Sequence, residues 1–182
     1  VFFEEPPAVD EVGVDEVPSG RYVVAVGNDK EYKNLRRLLE AIHRLDDEME
    51  VVLVGDCTGL KEAADALGIR DRVRFPGFVD DRALRALVGG AKVFVFPSLV
   101  EGFGLPVLEA MALGTATIVA DREPMRSVAG DAAMLVDPTD TQALAGAIEG
   151  VWSDDERRKR LESRGRERAS NFRWSRTAES TW

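Results

Sequence analysis

The sequence predicts an α/β fold: a doubly wound, Rossmann-like parallel sheet of about six strands with helices on both faces. Three observations carry this reading. Short apolar runs alternate with segments of helical period along most of the chain, the order that builds a parallel sheet through helical crossovers. The apolar runs are continuous rather than alternating, as strands buried on both faces require. Most of them stop at a glycine or a proline, the residues that end a strand and open a turn.

The elements follow in order. Residues 21–26 form a β-branched run that ends at Gly27. Leu35, Leu38, Leu39, Ile42 and Leu45 then recur at helical spacing over 32–46, with Arg36, Arg37, Glu40 and Arg44 on the other side. A second strand at 51–54 closes at Gly55, and a helix over 58–68 stops at Gly68. The third strand, 73–75, runs into Pro76-Gly77, and 80–89 is helical with Leu84, Leu87 and Val88 on one side. The fourth, 93–96, is stopped by Pro97. An apolar helix over 106–113 has Pro106 in its first turn and Gly114 at its exit. Strands at 115–120 and 134–136 follow. Thr139 or Thr141 caps a helix running to about Trp152, a charged helix covers 154–169, and a last helix begins near Ser175.

The 182 residues are 45 % hydrophobic and 31 % charged, enough for one globular core. No apolar run approaches the roughly 20 residues that span a bilayer. The chain starts at Val1 without a leader pattern, which reads as a piece of something longer. A net charge of −9 argues against nucleic-acid binding, because an acidic surface repels phosphate backbones. Residues 1–20 carry six acids, no base, three prolines and two glycines, the composition of an acidic interdomain linker, so the domain proper is 21–182. A lone Cys57 excludes an internal disulfide and points to a reducing compartment, hence the cytoplasm. One cysteine and one histidine leave no zinc-site spacing, and no metal or cofactor is expected.

Open sheets of this class bind ligands beyond the carboxyl ends of their strands. The loops at 27–33, 55–59, 76–81, 97–105 and 120–124 therefore line one rim. The segment from Pro97 to Gly114, PSLVEGFGLPVLEAMALG, concentrates the chemistry. A strand ends, a loop with Gly102 and Gly104 follows, and a helix starts near Pro106. The glycines let backbone N–H groups approach a ligand closely. The helix start adds unpaired N–H groups and partial positive charge, which together suit a diphosphate. Glu109, in the first turn of that helix, can accept two hydrogen bonds from a vicinal diol such as a ribose. Glu101, just before the glycines, reaches the group beyond the diphosphate.

This block resembles the donor site of the GT-B glycosyltransferases, specifically the large retaining family GT4. Two glutamates separated by seven residues flank a Gly-Phe-Gly-Leu-Pro core, followed by Glu-Ala-Met-Ala-x-Gly; here they are Glu101 and Glu109. The resemblance covers nearly all of 20–182, as the carboxyl-terminal half of such an enzyme without the acceptor-binding half that normally precedes it. It implies that Glu101 contacts the donor sugar or the reacting face, as the catalytic residue. It implies that Glu109 holds the ribose and that the amides of Phe103, Gly104 and Leu105 hold the diphosphate. Lys33, in Lys33-Asn34 six residues after Gly27, would pair with the leaving diphosphate. Val79, in Pro76-Gly77-Phe78-Val79, would cradle the nucleobase through backbone groups.

Several positions depart from that pattern or admit other readings. Asn28 stands where the family usually has Arg, and Met125-Arg126-Ser127-Val128 where it often has Leu-Pro-Glu-Val. Asp80 or Asp81 can accept from a guanine edge, but capping the following helix is the default reading. His43 is read as a helix-surface residue and Cys57 as inert. The run Arg157-Arg158-Lys159-Arg160 is read as a solvated helix. Its alternative role is peripheral contact with the inner face of an anionic membrane in the intact enzyme. Trp174 and Trp182 are expected on the last helix, which family members often send back to the other half.

The expected function is thus the nucleotide-sugar-binding half of a retaining, metal-independent glycosyltransferase. The intact enzyme would move a hexose from a nucleoside diphosphate sugar to an acceptor hydroxyl, and the isolated chain would transfer little or nothing. The alternative is a non-catalytic nucleotide-binding partner module of the same fold. A dinucleotide binder is disfavoured, since Gly27 stands alone where Gly-x-Gly-x-x-Gly is needed.

Overall fold

The computed structural model describes residues 5–14, 17–18, 21–46 and 48–172. Its six strands are β1 (Tyr22–Val26), β2 (Glu50–Val54), β3 (Val73–Gly77), β4 (Val93–Phe96), β5 (Ala116–Ala120) and β6 (Met134–Val136). They form one sheet in the order β3-β2-β1-β4-β5-β6, with every pairing parallel. Between them run α1 (Leu35–Ile42), α2 (Lys61–Ala66), α3 (Asp81–Gly90), α4 (Leu105–Leu113) and α5 (Met125–Ala129). Two more helices, α6 (Thr141–Ser153) and α7 (Asp155–Ser170), follow β6.

Residue alternation along each strand divides the core in two. Val23 and Ala25 of β1 point to the face covered by α1, α2 and α6, where Leu38, Leu39, Ile42, Leu144 and Ile148 are buried. Tyr22 and Val24 point to the other face, against Leu87 of α3, Val107 and Met111 of α4, and Met125 of α5. The Tyr22 hydroxyl, buried there, donates to the Leu87 carbonyl at 2.8 Å. Both faces are apolar, which is why the strands read as continuous runs.

The local differences from expectation have physical causes. The first helix ends at Ile42, where His43 forms its exposed C-cap, rather than at 46. Residues 58–60 form a 3-10 turn before the short α2. The cap of α6 is Asp140, not Thr139 or Thr141: its carboxylate accepts from the N–H groups of Gln142 and Ala143, each at 2.9 Å. The two threonines instead bind Arg37, through the Thr139 carbonyl and the Thr141 hydroxyl. Five residues sufficed for α5, too few for a periodic signal. Asp80 caps α3 as the default reading has it, accepting from Ala83 N–H at 2.8 Å. The helix expected near Ser175, with Trp174 and Trp182, lies outside the described residues.

Residues 5–14 lie along α3, with a 3-10 turn at Val9–Glu11. Pro6 and Val9 sit so close to Gly89 and Gly90 that a Cβ on either glycine would lie within 2.6 Å of them. On the charged helix, Arg157, Arg158 and Lys159 each pair with an acid of the same helix or its cap. The basic run thus exposes less free charge than its sequence implies. No helix among the described residues is long and apolar enough to cross a membrane.

Candidate functional site

Parallel strands put all their carboxyl ends on one edge. The strand order reverses between β1 and β4, so the connections from these two strands leave to opposite sides and open a crevice. The loop after β1 is residues 27–34 and the loop after β4 is 97–104. The first begins with Gly27, whose N–H donates to the Val54 carbonyl at 2.9 Å. Gly55, after β2, takes φ 111°, and a Cβ there would lie 2.1 Å from the Gly27 carbonyl oxygen. Only a glycine lets the two strand ends meet this closely.

The crevice brings two expected site residues together. Lys33 Nζ lies 2.6 Å from Glu101 Oε1, and the side chains are only 18 % and 14 % exposed. The ammonium also sits 5.4 Å from the Tyr32 ring centre and 5.5 Å from that of Phe96, within range of aromatic-face attraction. The Leu99 N–H donates to the Tyr32 carbonyl at 2.7 Å, joining the same two loops through their backbones. Asn28, where a cation was expected by resemblance, instead accepts from the Lys30 N–H at 3.2 Å and closes a turn.

The glycine loop ends where α4 begins. Gly104 is its N-cap, in the left-handed region at φ 89°. A Cβ there would lie 2.2 Å from Met125 Cε, so α5 packs directly behind the loop. Phe103 and Leu105 are about half exposed on either side. The Phe103 ring meets Phe172 edge-on, with centres 6.2 Å apart. The nine-residue α4 presents its amino end, and its partial positive charge, toward the crevice side of this loop.

Glu109 sits in the second turn of α4, not the first, because the helix starts at Leu105. It lines a small hollow of about 60 Å³ between α3 and α4, with Val26, Asp81, Leu84, Arg85 and Pro106. Burial, and secondly the nearby Asp81 carboxylate, push its carboxyl above the usual carboxylate range. Val79 lines a separate hollow after β3, with Phe75, Phe78, Asp80 and Val12–Val14. Phe78 is 85 % exposed at its mouth. At the start of α3, Asp80 lines one hollow and Asp81 the other.

Beside Glu109 stand Asp81, read from the sequence only as a guanine contact or cap, and Arg85, which went unnoticed although its i,i+4 spacing from Asp81 places both on one helical face. Cys57 is buried, its Sγ 3.8 Å from the Gly27 carbonyl, and burial pushes the thiol up to about 12. Asp29 and Asp56 add to that shift. The thiol stays protonated, away from the crevice.

Residues 14–168 match the family described as Glycosyl transferases group 1. The chain belongs to that family. A relative, the O-antigen chain mannosyltransferase B of Escherichia coli, is 33 % identical over 161 residues, covering 84 % of this chain and 42 % of that protein. Among solved structures, the sucrose-phosphate synthase of Thermosynechococcus elongatus superposes with a TM-score of 0.83 at 28 % identity, over 97 % of this chain and 48 % of that one. The carboxyl-terminal domain of a group 1 glycosyl transferase, LpcC of Francisella tularensis, superposes with a TM-score of 0.81 at 22 % identity, over 94 % of this chain and 95 % of that domain. The chain therefore spans about half the length of the full-length group 1 relatives it matches. The doubly wound sheet of their glycosyltransferase fold is the one observed here.

Proposed function

We propose that this chain is the nucleotide-sugar-binding half of a retaining glycosyltransferase that moves a hexose from a nucleoside diphosphate sugar to an acceptor hydroxyl. The observation that carries this reading is the Lys33–Glu101 pair held across the crevice at the strand-order reversal. A cation there faces the place where a diphosphate would rest on the amino end of α4, and a carboxylate beside it suits the hydroxyls of the attached sugar. When the bond from the anomeric carbon to the diphosphate oxygen breaks, negative charge builds on the leaving diphosphate. Lys33 and the N–H groups of Phe103, Gly104 and Leu105 would stabilise that charge. Glu109 would accept from the two ribose hydroxyls, and the backbone around Val79 would take the base. Retention means that the new bond forms on the face the diphosphate leaves.

Transfer needs an acceptor oxygen held about 3–3.5 Å from the reacting carbon, and an amino-terminal domain joined through the acidic 1–20 linker would hold it. The isolated chain then binds donor and transfers little. A nucleotide-sugar donor and a lone cysteine support a cytoplasmic reading. Peripheral membrane contact through α7 would have to break the helix's own ion pairs. The relative from Escherichia coli is named a mannosyltransferase, so a mannosyl donor is the first hexose to test.

The test is calorimetric titration of the chain with UDP, GDP and ADP, in parallel with Lys33→Ala and Glu109→Ala. Selective binding of one nucleotide, lost in both variants, is the expected result. Equal binding by all three proteins would remove the donor site from this crevice. The second reading, a non-catalytic module, is favoured by Asn28, which leaves the crevice one cation short. Nucleotide binding without turnover, after an amino-terminal half is supplied, would establish that reading instead.

A further inference from the structure

We infer that Asn34 is a positioning residue for the Lys33–Glu101 pair, acting by fastening three strand-end loops to one point. This inference rests on the donor-site reading above. Asn34 stands at the junction between the 3-10 turn Glu31–Lys33 and α1, directly after Lys33. It is 9 % exposed. Its Nδ2 donates to two carbonyls from other loops: Pro97, after β4, at 3.0 Å, and Pro138, after β6, at 2.8 Å. A side-chain amide carries two donor hydrogens, and both are spent here. Pro97 opens the loop that carries Glu101, so one side chain ties the cation's loop to the carboxylate's.

Asparagine meets two demands that no other residue meets together. The backbone at this position is left-handed, φ 57° and ψ 23°, the one such non-glycine residue among those described. Asparagine tolerates that region better than other side chains. The site also needs a buried donor pair. Glycine supplies the backbone without the donors. Aspartate supplies the shape, but its ionised carboxylate turns acceptors toward two carbonyls. Alanine supplies neither. A charge pair that must engage a ligand tolerates only about 0.5 Å of misplacement, so a tie of this kind bears on affinity as well as on folding.

A purely structural role would weaken every ligand alike. A role exercised through Lys33 weakens ligands in proportion to the phosphate that Lys33 meets. The readout is therefore the ratio of nucleoside diphosphate to monophosphate affinity: UDP against UMP, and GDP against GMP, by calorimetry on the 182-residue chain. Asn34→Gly is the main variant, since it keeps the left-handed backbone. Asn34→Asp is the second, with circular dichroism confirming the fold of each. The expected result is a fall of about tenfold in the ratio, toward that of Lys33→Met, with monophosphate affinity nearly kept. An unchanged ratio in a folded variant overturns the inference and leaves the donor site standing. If the unmodified chain binds neither UDP nor GDP, the donor-site reading fails and this inference falls with it.

Discussion

Glu101 and Glu109 belong to one loop-and-helix unit, yet the regions around them are built on opposite principles. Around Glu101, two loops from non-consecutive strands meet, and a lysine from one satisfies the carboxylate of the other at 2.6 Å. Around Glu109, two neighbouring helices enclose a half-buried carboxylate with a second acid, Asp81, nearby. The first region is complete without a ligand and must exchange partners to take one. The second leaves its acid half-buried beside another acid, which raises its carboxyl above the usual range. The shared unit therefore carries one carboxylate paired with a cation and one set beside a second acid.

The largest test of this contrast strikes the frame beneath the first region. Gly55→Ala forces a Cβ against the Gly27 carbonyl at a backbone angle reserved for glycine. A loss of about 3 kcal/mol is expected in urea unfolding, with nucleoside diphosphate affinity falling alongside it. Unchanged stability would mean that the two strand ends are not joined as described. In the second region, Asp80→Ala removes the α3 cap, at a cost of about 1 kcal/mol. Thermal melting should show that loss, while the difference between Lys33 and Lys33→Met in diphosphate binding persists.

Smaller effects sharpen the comparison. Glu101→Gln frees Lys33 from a pair worth at most about 1 kcal/mol. UDP or GDP without its sugar should then bind roughly two- to fivefold tighter, and weaker binding would show that Glu101 aids the diphosphate rather than competing for its lysine. Glu109→Gln tests the second carboxylate through pH. A carboxyl whose folded value is raised binds its proton more tightly in the native state than in the unfolded one. Its ionised form therefore subtracts stability above the raised value, and the penalty disappears below the ordinary value of 4.5. The glutamine variant should melt slightly higher than the unmodified chain at pH 7 and at the same temperature near pH 4. A lower melting temperature at pH 7 would show that the carboxylate is stabilised in place.

Much of this frame was legible because the relevant signals are local. Continuous runs such as Val51–Val54 and Val93–Phe96 read as buried strands because they are short, rich in valine and closed by a glycine or a proline, which marks the rim. The block around Gly102 and Gly104 reads as a glycine loop running into a helix from its residue order alone. What was not legible depends on distance in space. Asp140 rather than a threonine caps α6 because the helix starts at Thr141; the Thr139 hydroxyl donates to Asp137, and the Thr141 hydroxyl accepts from Arg37, a hundred residues earlier. The burial of Asn34 follows from Pro97 and Pro138, which no local window joins. The turn of α4 that holds Glu109 hinged on one residue, Leu105, at the helix boundary.

The packing of α7 has a mechanical corollary. Sixteen residues make a rod about 24 Å long. At its start, Asp155 lies 4.0 Å from Lys92, at the foot of β4. Along its length, Gly165 rests on Met111 of α4. Just past its end, Phe172 touches Phe103. One rigid lever thus spans the domain from the foot of its central strands to the glycine loop. The foot of the central strands and the glycine loop therefore rest on one common support.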